Sequence, residues 1–178
     1  MDPSLREQLL RIYADTKTIA VVGASADPSK PAHRIPRYLQ SQGYRILPVN
    51  PRGGELLGEA VARSLTEVDG PVDVVDVFRP AEEAPQIARQ ALAIGAKVLW
   101  LQLGIESEEA KRLAEAAGLT VVMNRCMGGA RRAGPGTRTR LSACATFRPL
   151  SACGRRARSQ TDAGRCRPGG GQAPLERS

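Results

Sequence analysis

TIAVVGASADPSKPAHR, Thr18–Arg34, is the stretch that decides the fold. Thr18 to Val22 are β-branched or apolar on both faces, the pattern of a strand buried from two sides in a parallel sheet. Gly23 ends that run, and helical spacing resumes about ten residues later at Ile35, Tyr38 and Leu39. A dinucleotide fold of the NAD type places G-x-G-x-x-G at this turn and an acidic residue at the end of its second strand. Here the turn reads Gly23-Ala24-Ser25-Ala26-Asp27-Pro28, and the second apolar run ends in Asn50-Pro51, so both markers are missing. In place of glycines the loop carries Ser25, Ser29, Lys30, His33 and Arg34, with Arg37 one turn on. Hydroxyls, main-chain N–H groups, a helix N-terminus and two or three cations suit a multiply charged phosphate ligand.

Outward from this stretch the same alternation repeats. Apolar β-branched runs recur near 44–50, 72–78, 96–103 and 119–124, and amphipathic helical segments lie at 4–15, 33–42, 81–94 and 107–117. Gly43, Gly95 and Gly118 stand where three of those helices must stop. Strand and helix in alternation, with crossovers long enough for parallel pairing, predict an α/β, Rossmann-like doubly wound sheet of five parallel strands in the order 3-2-1-4-5. Residues 53–70 are too irregular to assign. Such sheets bind ligands outside the carboxyl ends of their strands, where the strand order reverses. The strand ends here are Gly23-Ala24-Ser25, Asn50-Pro51-Arg52, Phe78-Arg79-Pro80, Gln102-Leu103-Gly104-Ile105 and Asn124-Arg125-Cys126. Each brings a polar or basic group, or a glycine that opens the backbone, to one rim.

Charge divides the chain in two. Residues 1–127 hold 15 Lys and Arg against 16 Asp and Glu, whereas 128–178 hold 11 Arg, no Lys, and only Asp162 and Glu176. The net charge of +8 therefore belongs to a C-terminal tail rich in Arg, Gly, Ala and Pro, with no helical or alternating period. That tail reads as disordered, and as a GC-rich gene translated out of frame; its arginines are the one basis for nucleic-acid binding. The domain proper is 1–127. Cys144, Cys153 and Cys166 lie in the tail without C-x-x-C spacing and Cys126 stands alone in the body, so neither a metal site nor a disulfide framework is expected. No run of about 18 apolar residues occurs, which argues against a membrane span and for a cytoplasmic protein.

The blocks VVGASADPSKPAHRIPRYLQSQGYRILPVNP, VDVVDVFRP, AKVLWLQLGI and AGLTVVMNRCM, in this order and at this spacing, resemble the stand-alone bacterial CoA-binding domain proteins. These are relatives of the CoA-binding domain of the succinyl-CoA synthetase alpha subunit. The resemblance covers roughly residues 5–127 and implies coenzyme A, free or acylated, as a small-molecule ligand. It also implies roles. Gly23, Ala24 and Ser25 approach the pyrophosphate, Lys30 and Arg34 neutralise phosphate, and Asn50 and Pro51 border the adenosine. Val77, Phe78 and Arg79 line the crevice, and Gln102, Gly104 and Ile105 shape its other wall. The 3′-phosphate of CoA accounts for a loop richer in cations than in glycines.

Catalytic candidates are thin. His33, the only histidine, has Lys30, Arg34 and Arg37 for company and no carboxylate to orient it as a base. Cys126 reads more readily as structural than as a nucleophile. Asp73 and Asp76, three apart in one strand, face opposite sides and form no acid pair. Phe78 serves core packing as readily as ligand contact, and Trp100, among apolar neighbours in a strand, reads as core. A binding module without catalytic residues is the expectation; the alternatives are a nucleotide-dependent enzyme such as an NAD(P) oxidoreductase and a nucleic-acid binder acting through the tail.

Overall fold

The structure, a computed structural model, describes residues 3–132. The expectations for the tail beyond Arg132, including its disorder, its cysteines and its affinity for nucleic acid, lie outside the described residues. In chain order the elements are α1 (Pro3–Asp15), β1 (Thr18–Val22), α2 (Pro31–Ser41), β2 (Arg45–Val49), a hairpin of β3 (Glu55–Leu56) and β4 (Glu59–Ala60), and β5 (Val74–Val77). Then come α3 (Ala84–Ala93), β6 (Val98–Leu101), α4 (Glu108–Ala116), β7 (Thr120–Val122) and α5 (Met127–Arg132). Single 3-10 turns at Leu65–Glu67 and Ala81–Glu83 precede β5 and α3. The last helix continues past residue 127, where the sequence places the domain boundary.

Five strands form one parallel sheet, β2-β1-β5-β6-β7. The doubly wound α/β sheet is as expected, but the place of one strand differs. The order 3-2-1-4-5 puts residues 72–78 outside β2; in the structure β5 pairs with β1, from Ile19 opposite Val74 to Val22 opposite Val77. The position beyond β2 is taken by Ala62, which makes a parallel bridge to Val49. All four residues of β5 are buried, as a strand paired on both edges and covered on both faces requires, and a place at the sheet's edge would leave them wet. The chain winds outward from β1 to β2 and then from β5 to β7, so the order reverses between β1 and β5.

Both faces of the sheet are covered. On one, Val22, Val49, Val75, Val77, Leu99 and Leu101 pack under α3 and α4, whose inner faces are, beside Ile87, mainly alanines: Ala84, Ala88, Ala91, Ala110 and Ala114. These short side chains let the two helices lie close to the sheet and to each other. On the other, Ile19, Val21, Ile46, Val74, Val98 and Trp100 meet α1 through Leu9, Ile12 and Tyr13, α2 through Leu39, and α5 through Met127. Trp100 is fully buried, as its apolar neighbours predict, and its ring lies 5.8 Å from that of Tyr13.

At the amino ends of the strands one side chain ties three of them together. Asp73 Oδ2 accepts from the N–H groups of Lys17 and Thr18 at 2.9 and 3.1 Å, and Oδ1 accepts from Lys97 Nζ at 2.7 Å. Partial burial alone would raise the Asp73 pKa; the hydrogen bond from Lys97 and those from the two N–H groups outweigh it and hold the carboxyl below its ordinary range. A carboxylate with a depressed pKa stabilises the fold above the unfolded value and loses that contribution as pH falls. Asp73→Ala is therefore expected to cost about 2 kcal/mol at pH 7, measured by urea unfolding, and clearly less near pH 3.

Candidate functional site

The first turn, after β1, is held from three directions. Gly23 donates to Val49 O at 2.9 Å and adopts φ +87°, a conformation that favours glycine. Asn50 at the end of β2 donates from Nδ2 to Ala24 O at 2.8 Å, and its Oδ1 accepts from the N–H of Arg52 at 3.0 Å. Ala24 is buried. Beyond it the loop braces itself: Asp27 Oδ1 accepts from both N–H and Oγ of Ser29, at 2.9 and 2.7 Å. Those bonds, with the nearby charge of Lys30, hold the Asp27 carboxyl below its ordinary range. His33 Nδ1 lies 2.9 Å from Ser25 O, and since a carbonyl can only accept, that nitrogen carries the proton. The histidine closes the loop; it holds Ser25 and is not posed as a base. Ser25 Oγ accepts from Asp27 N–H at 3.2 Å, which leaves its O–H to donate outward.

The helix that follows, α2, starts at Pro31, which has no N–H, and its N-cap residue Lys30 supplies no side-chain cap. The positive end of the helix therefore opens on the cleft beside it. That cleft has a volume of ≈ 690 Å³. Its walls are Lys30, Pro31, Ala32, Arg34, Ile35 and Tyr38 from α2 and its approach, Phe78, Gln102, Leu103 and Ile105 from the ends of β5 and β6, and Cys126, Gly128 and Gly129 ahead of and within α5. Among the described residues no carboxylate forms an ion pair with Lys30 or Arg34. One region of the wall is cationic and the remainder largely apolar. Leu103, 71% exposed, is the one large hydrophobic residue exposed among the described residues.

Of the residues singled out in the sequence, some line the cleft, some line a second recess, and Ala24, Ser25, Asn50, Val77 and Gly104 line neither. Lys30, Arg34, Phe78, Gln102 and Ile105 share the cleft. Gly23, Pro51 and Arg79 border a smaller recess of ≈ 180 Å³ on the α3 side of the same sheet edge. Arg79 is held there by Glu83 through two hydrogen bonds, Nε to Oε2 at 2.9 Å and Nη2 to Oε1 at 2.6 Å. Val77 is fully buried and faces α3, so only its backbone reaches the rim. Gly104 is exposed, and its N–H donates to Asn124 Oδ1 at 2.8 Å while Asn124 Nδ2 donates to Glu106.

The sequence does not single out Ile35, Tyr38, Leu103, Gly128 and Gly129, because nothing in their spacing shows that α5 returns to pack on α2. Ile35 and Tyr38 carry an ordinary amphipathic signal and spend it on the cleft wall. Cys126, read as structural, is half-buried in that wall, with Sγ accepting from Gly129 N–H at 3.3 Å. Asp76 is the larger omission. It is fully buried in β5, its Oδ1 accepts from Gln102 Nε2 at 2.6 Å, and Oδ2 is the one buried side-chain polar atom without a partner among the described residues. Burial, opposed by the Gln102 hydrogen bond, pushes its pKa up to about 7. No group of three or more His, Cys, Asp or Glu with metal-binding geometry occurs among the described residues.

The model of the CoA binding domain family matches residues 17–132. The chain belongs to that family. A Bacillus subtilis relative, the uncharacterized protein YneT, is 40% identical over 122 residues, which span 68% of this chain and 90% of YneT. A Thermus thermophilus structure, cell-free ID.343, superposes with a TM-score of 0.69 at 43% identity and covers 74% of this chain and 98% of its own. The alpha subunit of an ADP-forming acetate–CoA ligase from Pyrococcus furiosus is 34% identical over 96 residues, half of this chain but 21% of that subunit. The family match, over residues 17–132, runs through the first turn, every strand of the parallel sheet and α5. Among the described residues of this CoA-binding domain no helix is long and apolar enough to cross a membrane.

Proposed function

We propose that this domain binds coenzyme A, free or acylated, at the carboxyl ends of its parallel strands and does so as a binding module without chemistry of its own. The observation that carries this reading is the cleft beside α2. Lys30, Arg34 and the open helix N-terminus supply positive charge at one region, and Ile35, Tyr38, Phe78, Leu103 and Ile105 supply an apolar wall. Such a surface suits a ligand that is phosphate-rich at one end and slender and largely uncharged at the other. Its volume falls within the range of roughly 300–1,000 Å³ usual for small-molecule sites. Pyrophosphate oxygens would meet the Ser25 hydroxyl and the start of α2, and Lys30 and Arg34 would neutralise phosphate. Family membership and the kinship with a CoA ligase subunit support the same ligand. The two catalytic candidates weighed in the sequence are engaged within the fold: the imidazole of His33 meets Ser25 O, and Cys126 Sγ meets a backbone N–H.

Thermal shift and calorimetry with CoA, dephospho-CoA, NAD and NADP test the reading, since a ligand that binds only the folded chain raises Tm with concentration. CoA is expected to stabilise most and dephospho-CoA less. Replacing both Lys30 and Arg34 by Ala is expected to weaken CoA binding by about a hundredfold, about tenfold per charged contact. NAD stabilising as well as CoA, or the double variant binding CoA unchanged, would overturn it.

A further inference from the structure

The cleft wall ahead of α5 is gripped by three side chains. Trp100 Nε1 donates to Arg125 O at 2.7 Å, Tyr13 Oη donates to Met127 O at 2.8 Å, and Gln102 Oε1 accepts from Met127 N–H at 3.3 Å. Because an N–H can only donate, the Met127 contact fixes which end of the Gln102 amide faces it. The NH₂ end must then face Asp76, where it donates to Oδ1 at 2.6 Å. Asp76 is thus joined through one 3%-exposed side chain to the segment that presents Cys126, Gly128 and Gly129 to the cleft.

We propose that Asp76 is a positioning residue whose proton controls this wall: the neutral carboxyl, through Gln102, keeps residues 125–127 seated, and its ionisation loosens them and weakens ligand binding. The environment argues for coupling. Asp76 lies in register between Val21 of β1 and Trp100 of β6; the valine is apolar and the indole N–H is directed at Arg125 O, so neither cross-strand neighbour bonds the carboxyl. Titratable or charged groups on the elements packed over this face, among the described residues, are Arg6, Glu7, Arg11, Tyr13 and Asp15 on α1, Tyr44 ahead of β2, Lys30, His33, Arg34, Arg37 and Tyr38 along α2 and its approach, Glu55 and Glu59 in the hairpin, and Arg125 and Cys126 before α5. None of these is hydrogen-bonded to the carboxyl, whose one bond comes from Gln102. A carboxylate formed there needs water at Oδ2, to which none of the described residues donates. The sheet cannot part to admit that water without breaking its ladder. Residues 125–127 lie beyond the paired residues of the ladder; apart from a 3.4 Å bond from Arg125 N–H to Leu101 O they are held to the sheet and α1 by side chains, so they are the element that gives way.

The effect on ligand affinity rests on the CoA reading above; the loosening does not. Trp100, the only tryptophan in the chain, sits beside Asp76 and reports its charge by fluorescence. Wild-type fluorescence is expected to titrate between pH 6 and 8, and that transition is absent in Asp76→Asn, which keeps an acceptor for Gln102 and carries no proton. Calorimetric affinity for CoA falls about tenfold from pH 6 to pH 8 in the wild type relative to Asp76→Asn, as follows when only about a tenth of the molecules are binding-competent. Amide exchange at 126–129 accelerates over the same range relative to that variant. Should Asp76→Asn fail to fold, Gln102→Met carries the test: it breaks the link, keeps the Trp100 titration and removes the pH dependence of CoA affinity. A Trp100 transition that survives Asp76→Asn, an affinity ratio that does not change with pH, or a Gln102→Met protein with wild-type pH dependence overturns the proposal. If CoA does not bind at either pH while exchange at 126–129 still accelerates, the relay stands and the ligand assignment falls.

Discussion

Asp76→Asn is expected to gain about 3 kcal/mol in folding stability on the wild type between pH 5 and pH 7, and to keep that advantage at higher pH. The folded carboxyl is raised from 3.8 to about 7, chiefly by burial. Below the unfolded value both states hold the proton, and the contribution of Asp76 is fully present. As pH rises from there toward about 7 the unfolded chain has released its proton and the folded chain retains it, so wild-type stability falls by up to about 1.4 kcal/mol per pH unit and then levels off. Asparagine has no such slope. For a domain of this size the gain corresponds to a relative rise in Tm on the order of 10 °C, measurable by calorimetry at matched ionic strength. Parallel stability curves for the two proteins would show that Asp76 is already ionised at pH 5 or that its burial is incomplete.

Gly23→Ala is expected to destabilise the domain by about 2–4 kcal/mol in urea unfolding. Part is conformational, about 1–2 kcal/mol for a side chain at φ +87°. The rest is contact: a Cβ there would stand 2.9 Å from Arg79 Cδ and 3.1 Å from Phe78 O. The arginine stem can swing aside, at the expense of its bonds to Glu83, but the carbonyl belongs to the end of β5 and cannot move alone. Gly43→Ala is the control, with φ +92° and nothing within 4 Å of the added carbon. It carries the conformational part only, so Gly23→Ala should exceed it by about 1–2 kcal/mol. Equal losses would mean that β1 and β5 have slack where the strand order reverses. That slack would also weaken the case for a ligand held between their ends.

The sheet was legible because its signal is local. Thr18–Val22 is β-branched or apolar on both faces, and Val74–Val77 is valine on both faces but for Asp76, the pattern of a strand buried from both sides. The alanine faces of α3 and α4 and the glycines closing α2, α3 and α4 carry the same kind of information. What spacing does not encode is which strand lies beside which. The pattern of residues 72–78 says that both faces are covered and leaves its neighbour open, and the contact with β1 came from tertiary pairing. The hairpin at 55–60 was unreadable because two-residue strands show no period.

For the candidate site, chemistry was legible and assembly was not. Lys30 and Arg34 stand out because cations where glycines are usual call for a phosphate-rich partner. Gln102 and Ile105 stand out because strand ends of a doubly wound sheet face one rim. Tyr38, Gly128 and Cys126 join them only because α5 returns across α2, a contact between segments some ninety residues apart. Asp76 shows the division most sharply. Its sequence context, one acid between valines, marks it as a charged residue in a buried strand and nothing more. The sequence by itself determined the sheet, its helices and a basic, glycine-poor first turn, because those follow from the order of side chains along a few residues. Tertiary structure alone decided that a carboxyl lies fully buried beside Gln102 and that Gln102 reaches Met127, because burial and hydrogen bonding depend on what distant segments bring to the same point.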